Sequence, residues 1–177
     1  MAQSEDFANT VEPYQLYYFP IPGRAEASRV VLSLANLSWK DNEINFEEYG
    51  RMKHNGELPW GMVPMLRTPD GVLAESAAIL RYIGNMAGLT PADPFHAAKV
   101  DEFIDGVEPF SQILSDTFSI EDVDERTRAR QAVFEEEGEG TKNLKLLEKK
   151  ITESTTGWVA STTDMNIADI RVFTALF

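Results

Sequence analysis

The stretch that decides the fold is Tyr14–Leu32, YQLYYFPIPGRAEASRVVL. Gln15 to Phe19 is short and aromatic-rich, the composition of a buried strand. Pro20, Pro22 and Gly23 break it. From Arg24 the period changes. Ala27, Val30, Val31, Leu34 and Ala35 sit at helical spacing, and Asn36 is a helix stop. A strand, a tight break and a helix in one short run predict the start of an α/β unit.

Downstream, Lys40 to Phe46 predicts a weak strand with Ile44 and Phe46 alternating, whereas Tyr49 to Leu58 is polar and has no clear period. Val63 to Arg67 predicts a strand after a turn at Gly61. Pro64 at its start lacks an N–H, which argues for an edge or a bend there. Thr68-Pro69-Asp70-Gly71 is a turn, and Val72 to Ala74 completes a hairpin. Glu75-Ser76 then opens a helix carrying Ala77, Ile79, Leu80, Tyr82 and Ile83. This part reads β-α-β followed by β-β-α, a small α/β unit with one mixed sheet over 14–87.

Residues 88–94, rich in Gly and Pro, predict a linker, and 95–177 an all-helical region. Val100, Phe103, Ile104, Val107, Phe110 and Leu114 form one apolar period, with Pro109 expected to kink the helix. Residues 123–153 form a second, charged helical stretch. Its thin seam is Val133, Leu144, Leu147 and Ile151, and Gly138 and Gly140 weaken it locally. Acids lead and bases trail there, an order that suits the helix dipole. Asn166-Ile167-Ala168-Asp169 resembles a capping box at the start of a last helix. That helix is still apolar at Phe177, so the chain reads as C-terminally truncated.

Composition narrows the function. Lys and Arg number 16 against 29 Asp and Glu, a formal net charge of −13. That excludes a nucleic-acid binder relying on a general phosphate footprint and disfavours an anionic membrane surface. No apolar run is long enough to span a bilayer. The absence of cysteine excludes a disulfide scaffold, a thiol metal site, a redox pair and a cysteine nucleophile. His54 and His96 are the only histidines, read as surface residues, and no metal site is expected. Residues 1–13 carry no secretory signature and read as a flexible arm. The expected setting is the cytoplasm.

Three features have chemical potential. Tyr18 ends an apolar strand six residues before Arg24, so a hydroxyl donor and a guanidinium are available to an anion. The plain alternative is a core tyrosine. Glu75-Ser76 at a helix N-terminus offers backbone N–H groups and a hydroxyl to a carboxylate, or is a simple cap. Pro64 is either cis, exposing the Val63 backbone, or an ordinary trans proline.

Together the residues resemble the cytosolic glutathione transferases of the Tyr-type branch, nearest the sigma class. The resemblance rests on Tyr14–Leu32, Phe46-Glu47-Glu48-Tyr49, Lys53, Val63-Pro64-Met65-Leu66, Glu75-Ser76-Ala77-Ala78-Ile79 and Asn166-Ile167-Ala168-Asp169-Ile170. It implies a thioredoxin-like N-terminal domain that binds glutathione and an all-helical C-terminal domain that takes a small hydrophobic electrophile. It implies glutathione as co-substrate, no tightly bound cofactor, a homodimer and a detoxifying role.

By the same resemblance, the Tyr18 hydroxyl bonds the glutathione sulfur, and Arg24 supports the thiolate. Val63 pairs its backbone with the cysteinyl unit beside a cis Pro64. Glu75 and Ser76 hold the γ-glutamyl end, Lys53 the glycyl carboxylate, Tyr49 also contacts glutathione, and Asp101 reaches the neighbouring subunit's glutathione. Phe110 and Leu114 are expected in the hydrophobic site. Tyr17 lies on the opposite face of the strand, and the family pattern places the working tyrosine directly before Phe, so the resemblance selects Tyr18. Tyr49 and Glu75 depart from the family's usual Trp and Gln. Two other activities share the pattern: a glutathione-dependent isomerase of the prostaglandin-synthase kind, and a non-catalytic binding or structural protein.

Overall fold

The structure is a computed structural model that describes residues 14–176. The arm expected at 1–13 and the chain end at Phe177 lie outside the described residues. The strand at the opening of the deciding stretch is β1, Tyr14–Tyr18. A 3-10 turn at Gly23–Ala25 leads into α1, Glu26–Leu34. Then come β2, Trp39–Glu43, and α2, Phe46–His54. The hairpin is β3, Met65–Thr68, with β4, Gly71–Ala74, followed by α3, Ser76–Met86.

The sheet order is β2-β1-β3-β4. β1 pairs in parallel with β2 and antiparallel with β3, which pairs antiparallel with β4. This is the thioredoxin-like order, with one crossover helix between the parallel strands.

One expectation needs correction here. Residues 40–46 do not run on as a strand, because the Asn45 side chain accepts from the Glu48 N–H at 2.8 Å and caps a helix. The polar stretch that followed is that helix, α2. It buries only Met52, and Glu47 and Glu48 at its start and Arg51, Lys53 and His54 at its end complement the helix dipole. Of the edge or bend expected at Pro64, the structure has the bend: the Val63–Pro64 peptide bond is cis. Pro64 stands just before β3, a central strand, so its missing N–H costs the ladder nothing.

The helical region comprises α4, Pro94–Gly106, α5, Glu108–Asp116, α6, Val123–Val133, α7, Glu139–Thr152, and α8, Ile167–Leu176. The expected kink at Pro109 is a full break. α4 ends before Val107, and Pro109 falls in the first turn of α5, where no N–H is needed. The charged stretch at 123–153 is likewise two helices. The chain between α6 and α7 folds back so closely that a Cβ on Gly138 would lie 2.4 Å from the Val133 carbonyl oxygen. No helix among the described residues is long and apolar enough to cross a membrane.

One apolar core runs through both parts. Leu16, Val31, Leu32, Met65, Leu66, Ile79 and Ile83 fill the space between the sheet and α1 and α3. It continues through Ile167 to Val100 and Ile104 of α4. The joint is α8, which packs on α1, α3 and α4. Its N-terminus carries the expected capping box. Asn166 Oδ1 accepts from the Ala168 N–H at 2.8 Å, and Asp169 Oδ2 from the Asn166 N–H at 2.9 Å. Asp169 Oδ1 also accepts from the Val159 N–H at 2.8 Å, tying the preceding loop to the helix.

Two outcomes are expected in urea unfolding. Asp169→Ala strands two backbone donors and should cost about 1–3 kcal/mol. A Cβ on Gly84 of α3 would lie 2.5 Å from Ile167 Cγ2, so Gly84→Ala should cost about 1–3 kcal/mol. Combined with Ile167→Ala, which makes room for that methyl, the penalties should sum to less than the two singles.

Candidate functional site

The alternation of β1 buries Leu16 and Tyr18 on one face and turns Tyr17 to the other. Tyr17 is occupied there. Its hydroxyl donates to Gln15 Oε1 at 2.8 Å, and the Arg67 guanidinium lies 4.9 Å from its ring centre. Tyr18 is 7% exposed, and its hydroxyl oxygen accepts from the Arg24 backbone N–H at 3.1 Å. A phenol that accepts at its oxygen still has its own proton to donate.

This approach depends on Gly23. Its φ is +46°, and a Cβ there would sit 2.8 Å from the Tyr18 hydroxyl oxygen. The break itself is held by Arg29, whose guanidinium donates to the carbonyls of Phe19, Ile21 and Pro22 and is anchored on Asp41 at 2.7 Å. From the sequence, Gly23 reads only as a breaker, and Arg29 is not singled out. The signal for both is the run from Gly23 to Arg29 itself.

A cleft of about 400 Å³ opens beside this turn, lined by Arg24, Met62, Val63, Pro64, Glu75, Ser76, Glu108, Gln112 and Ser115. Five residues singled out from the sequence, Arg24, Val63, Pro64, Glu75 and Ser76, are thus brought together. The Val63–Pro64 peptide bond is cis. Neither the N–H nor the C=O of Val63 is hydrogen-bonded to another described residue. Glu75 has φ +70° and ψ 116°, a strained backbone for a residue with a Cβ. Among the described residues its carboxylate and the Ser76 hydroxyl make no hydrogen bond, and they stand at the N-terminus of α3. Free backbone polar groups, a hydroxyl and a carboxylate around one cleft can hold a small zwitterionic, peptide-like ligand.

The remaining expected residues lie elsewhere or are engaged. The Tyr49 hydroxyl donates to the Gly61 carbonyl at 3.0 Å. Lys53 lies beside it, with its ammonium 5.7 Å from the Tyr49 ring centre and in no ion pair among the described residues. Both sit on α2, next to the Gly61–Met62 rim rather than in the cleft. Asp101 accepts from Arg81 Nε at 2.6 Å, outside the cleft.

Phe110 and Leu114 do not line the cleft. At 3.6 residues per turn they lie about 200° around α5 from Glu108 and Gln112. Phe110 is buried against the Phe134 ring at 6.3 Å. The wall presented by α5 is therefore polar: Glu108, Gln112 and Ser115. Sequence periodicity followed the apolar face of this helix and passed over the polar one.

The Arg24 side chain reaches that wall. It forms an ion pair with Glu108 through Nη1 and donates from Nη2 to Gln112 Oε1 at 2.6 Å. The second Glu108 oxygen meets Arg171 of α8 at 3.2 Å, and Arg171 also donates to Ser111 Oγ at 2.8 Å. Burial pulls the Arg171 guanidinium below its ordinary pKa, Glu108 opposes that shift and Arg24 adds to it. A second cleft of about 320 Å³, between residues 88–93 and 161–166, contains none of the expected site residues.

Comparison with known proteins matches residues 14–85 to the glutathione S-transferase N-terminal domain. Glutathione S-transferase P 1 of Xenopus laevis is 39% identical over 101 residues, which are 56% of this chain and 48% of that protein. The chain thus spans about half the length of the curated relatives it matches. The crystal structure of the glutathione S-transferase from Ascaris lumbricoides is 30% identical, with a TM-score of 0.67 over 89% of this chain and 76% of that one. The prostaglandin synthase D of Nilaparvata lugens is 26% identical, with a TM-score of 0.80 over 93% and 80%.

The Gly23–Tyr18 contact generates a direct expectation. Gly23→Ala should cost about 1–3 kcal/mol in urea unfolding. A crystal structure of the variant should show the Tyr18 hydroxyl displaced from the Arg24 N–H.

Proposed function

The chain belongs to the glutathione S-transferase family, and from that premise we propose that it is a transferase activating glutathione for attack on an electrophilic carbon. The observation that carries the reading is the Tyr18 hydroxyl, held by the Arg24 N–H with its own proton available, beside a cleft with unpaired groups at Val63, Glu75 and Ser76. The cysteinyl unit of glutathione pairs with the Val63 backbone next to Pro64. Its γ-glutamyl carboxylate lies at the Ser76 hydroxyl and the N-terminus of α3, and its amine at Glu75. Lys53 takes the glycyl carboxylate, with Tyr49 at the same rim.

A free thiol has a pKa near ~8.5, so little is thiolate at neutral pH. A donor aimed at the sulfur favours the ionised form, and each unit of lowering corresponds to about 1.4 kcal/mol. The thiol proton leaves to solvent, the sulfur forms a bond to the electrophilic carbon, and the leaving group departs with the bonding pair. The enzyme needs no nucleophile of its own, which suits a chain without cysteine.

The finer features are part of the same proposal. The motif pattern places the chain nearest the sigma class, with the two domains meeting at a linker over 88–94. The detoxifying role and cytoplasmic setting follow the family pattern and the cysteine-free composition. A homodimer is supported by Phe46 and Trp60, exposed at 81% and 73% near the Phe19–Phe46–Tyr49 ring cluster. In that dimer Asp101 would exchange Arg81 for the partner's glutathione. A second reading, isomerisation rather than conjugation, is favoured by the likeness to the Nilaparvata lugens prostaglandin synthase D. Product analysis separates the two.

The test is conjugation of glutathione to a generic aryl halide, with glutathione-resin binding in parallel. Tyr18→Phe should lower turnover about 100-fold while resin binding persists, the loss seen when one preorganised donor to a developing anion is removed. A parent chain that binds the resin but turns over neither the aryl halide nor a panel of other electrophiles overturns the catalytic reading in favour of a binding protein.

A further inference from the structure

We infer that Glu108 is a positioning residue that sets the thiol acidity of bound glutathione by holding and partly neutralising Arg24. The inference rests on the transferase reading and adds the control of its key ionisation.

Arg24 contributes to the site twice, by two different groups. Its backbone N–H is given to the Tyr18 oxygen, and its guanidinium lines the cleft. A second guanidinium, Arg29, lies 5.8 Å from the Tyr18 ring centre but is paired with Asp41 and Glu26 and does not line the cleft. The Arg24 guanidinium, which does, is not free either. Glu108 and Gln112 of α5 hold both of its terminal nitrogens. A carboxylate in contact with a cation cancels most of that cation's field at a third site. The amide of Gln112 directs Arg24 without cancelling its charge, and its own NH2 donates to Asp116 Oδ1 at 2.6 Å.

Glu108 is in turn fixed by Arg171, whose side chain is only 11% exposed. Arg171 sits on α8, the helix that joins the sheet to the helical region. Arg24 is therefore aimed by a chain of contacts that starts in the core, at Arg171, passes through Glu108 and ends at the sulfur position.

The other charged groups facing this chain are few. Glu75 lies across the cleft, and Asp116 is reached only through Gln112. α4, α6 and α7 also pack on α5, and among the described residues none of their charged side chains pairs with Arg24, Glu108 or Arg171. Changing the charge at Glu108 or at Gln112 therefore changes what Arg24 presents to the sulfur. Removing the carboxylate exposes the full positive charge and favours thiolate. Adding a second carboxylate at Gln112 masks more of it and favours thiol.

The measurement is the ultraviolet absorbance of glutathione thiolate bound to the protein, titrated with pH, together with the pH profile of kcat/KM for the aryl halide. Glu108→Gln should move the midpoint down by about one pH unit, a tenfold rise in the thiolate-to-thiol ratio below it. Gln112→Glu should move it up. This second variant changes an exposed residue and decides the matter if loss of the Arg171 counter-ion keeps Glu108→Gln from folding. A residue that only stabilised the fold would lower stability or glutathione affinity and leave both midpoints where they are.

A parent with a thiolate band whose midpoint neither folded variant moves, or moves in the opposite sense, overturns the role of Glu108 alone. A parent that shows no thiolate band with glutathione bound overturns the transferase reading, and this inference with it.

Discussion

The docking of α8 is the constraint on which the rest of the molecule depends. It packs on α1 and α3 of the sheet unit and on α4 of the helical region. Its first residue, Ile167, is fully buried and lies where α3 offers Gly84 instead of a side chain. Burying an isoleucine is worth about 1.5–3 kcal/mol, but here the gain requires a helix that starts at one position. Asp169 sets that start by accepting from two backbone donors, one on each side of the turn that leads into the helix. With the start set, Arg171 falls one turn later against Glu108, and through Glu108 the wall of the cleft is fixed.

The cleft is built from backbone as much as from side chains. The Tyr18 hydroxyl is located by an N–H, which Gly23 allows it to reach. Val63 contributes backbone groups without a partner among the described residues, and Glu75 a helix start at positive φ. Strain of the Glu75 kind costs about 1–3 kcal/mol and persists only where its surroundings impose it. The hairpin on one side and α3 on the other impose it here. Local strain, open hydrogen-bonding groups and an ion pair thus gather at one place, while the core a few ångströms away is apolar and closely packed.

Parts of this were legible in the residues. The strand, break and helix of Tyr14–Leu32 were readable because each announces itself within a few neighbours: alternation, then Pro and Gly, then a helical period. The capping box at Asn166 was readable for the same reason. α2 was not, because it buries one residue and shows almost no apolar period. α6, which buries none, was visible only as part of a longer charged stretch. The apolar face of α5 is visible in the sequence, whereas the polar face that meets the cleft is not. Periodicity says which side chains share a face, and it says nothing about what that face will meet.

By itself, the sequence determined β1, the hairpin of β3 and β4, the helices α1 and α3, the turns around them and the capping box that opens the last helix. Each of these depends on residues a few positions apart. Only the tertiary structure decided what Arg24 would touch. Glu108 stands 84 positions beyond it, and Arg171 a further 63. No local pattern can specify such a pairing. It exists because α8 docks in one register against α3 and carries a buried cation to one turn of α5. That cation requires a carboxylate partner, since leaving it unpaired in the interior would cost several kcal/mol.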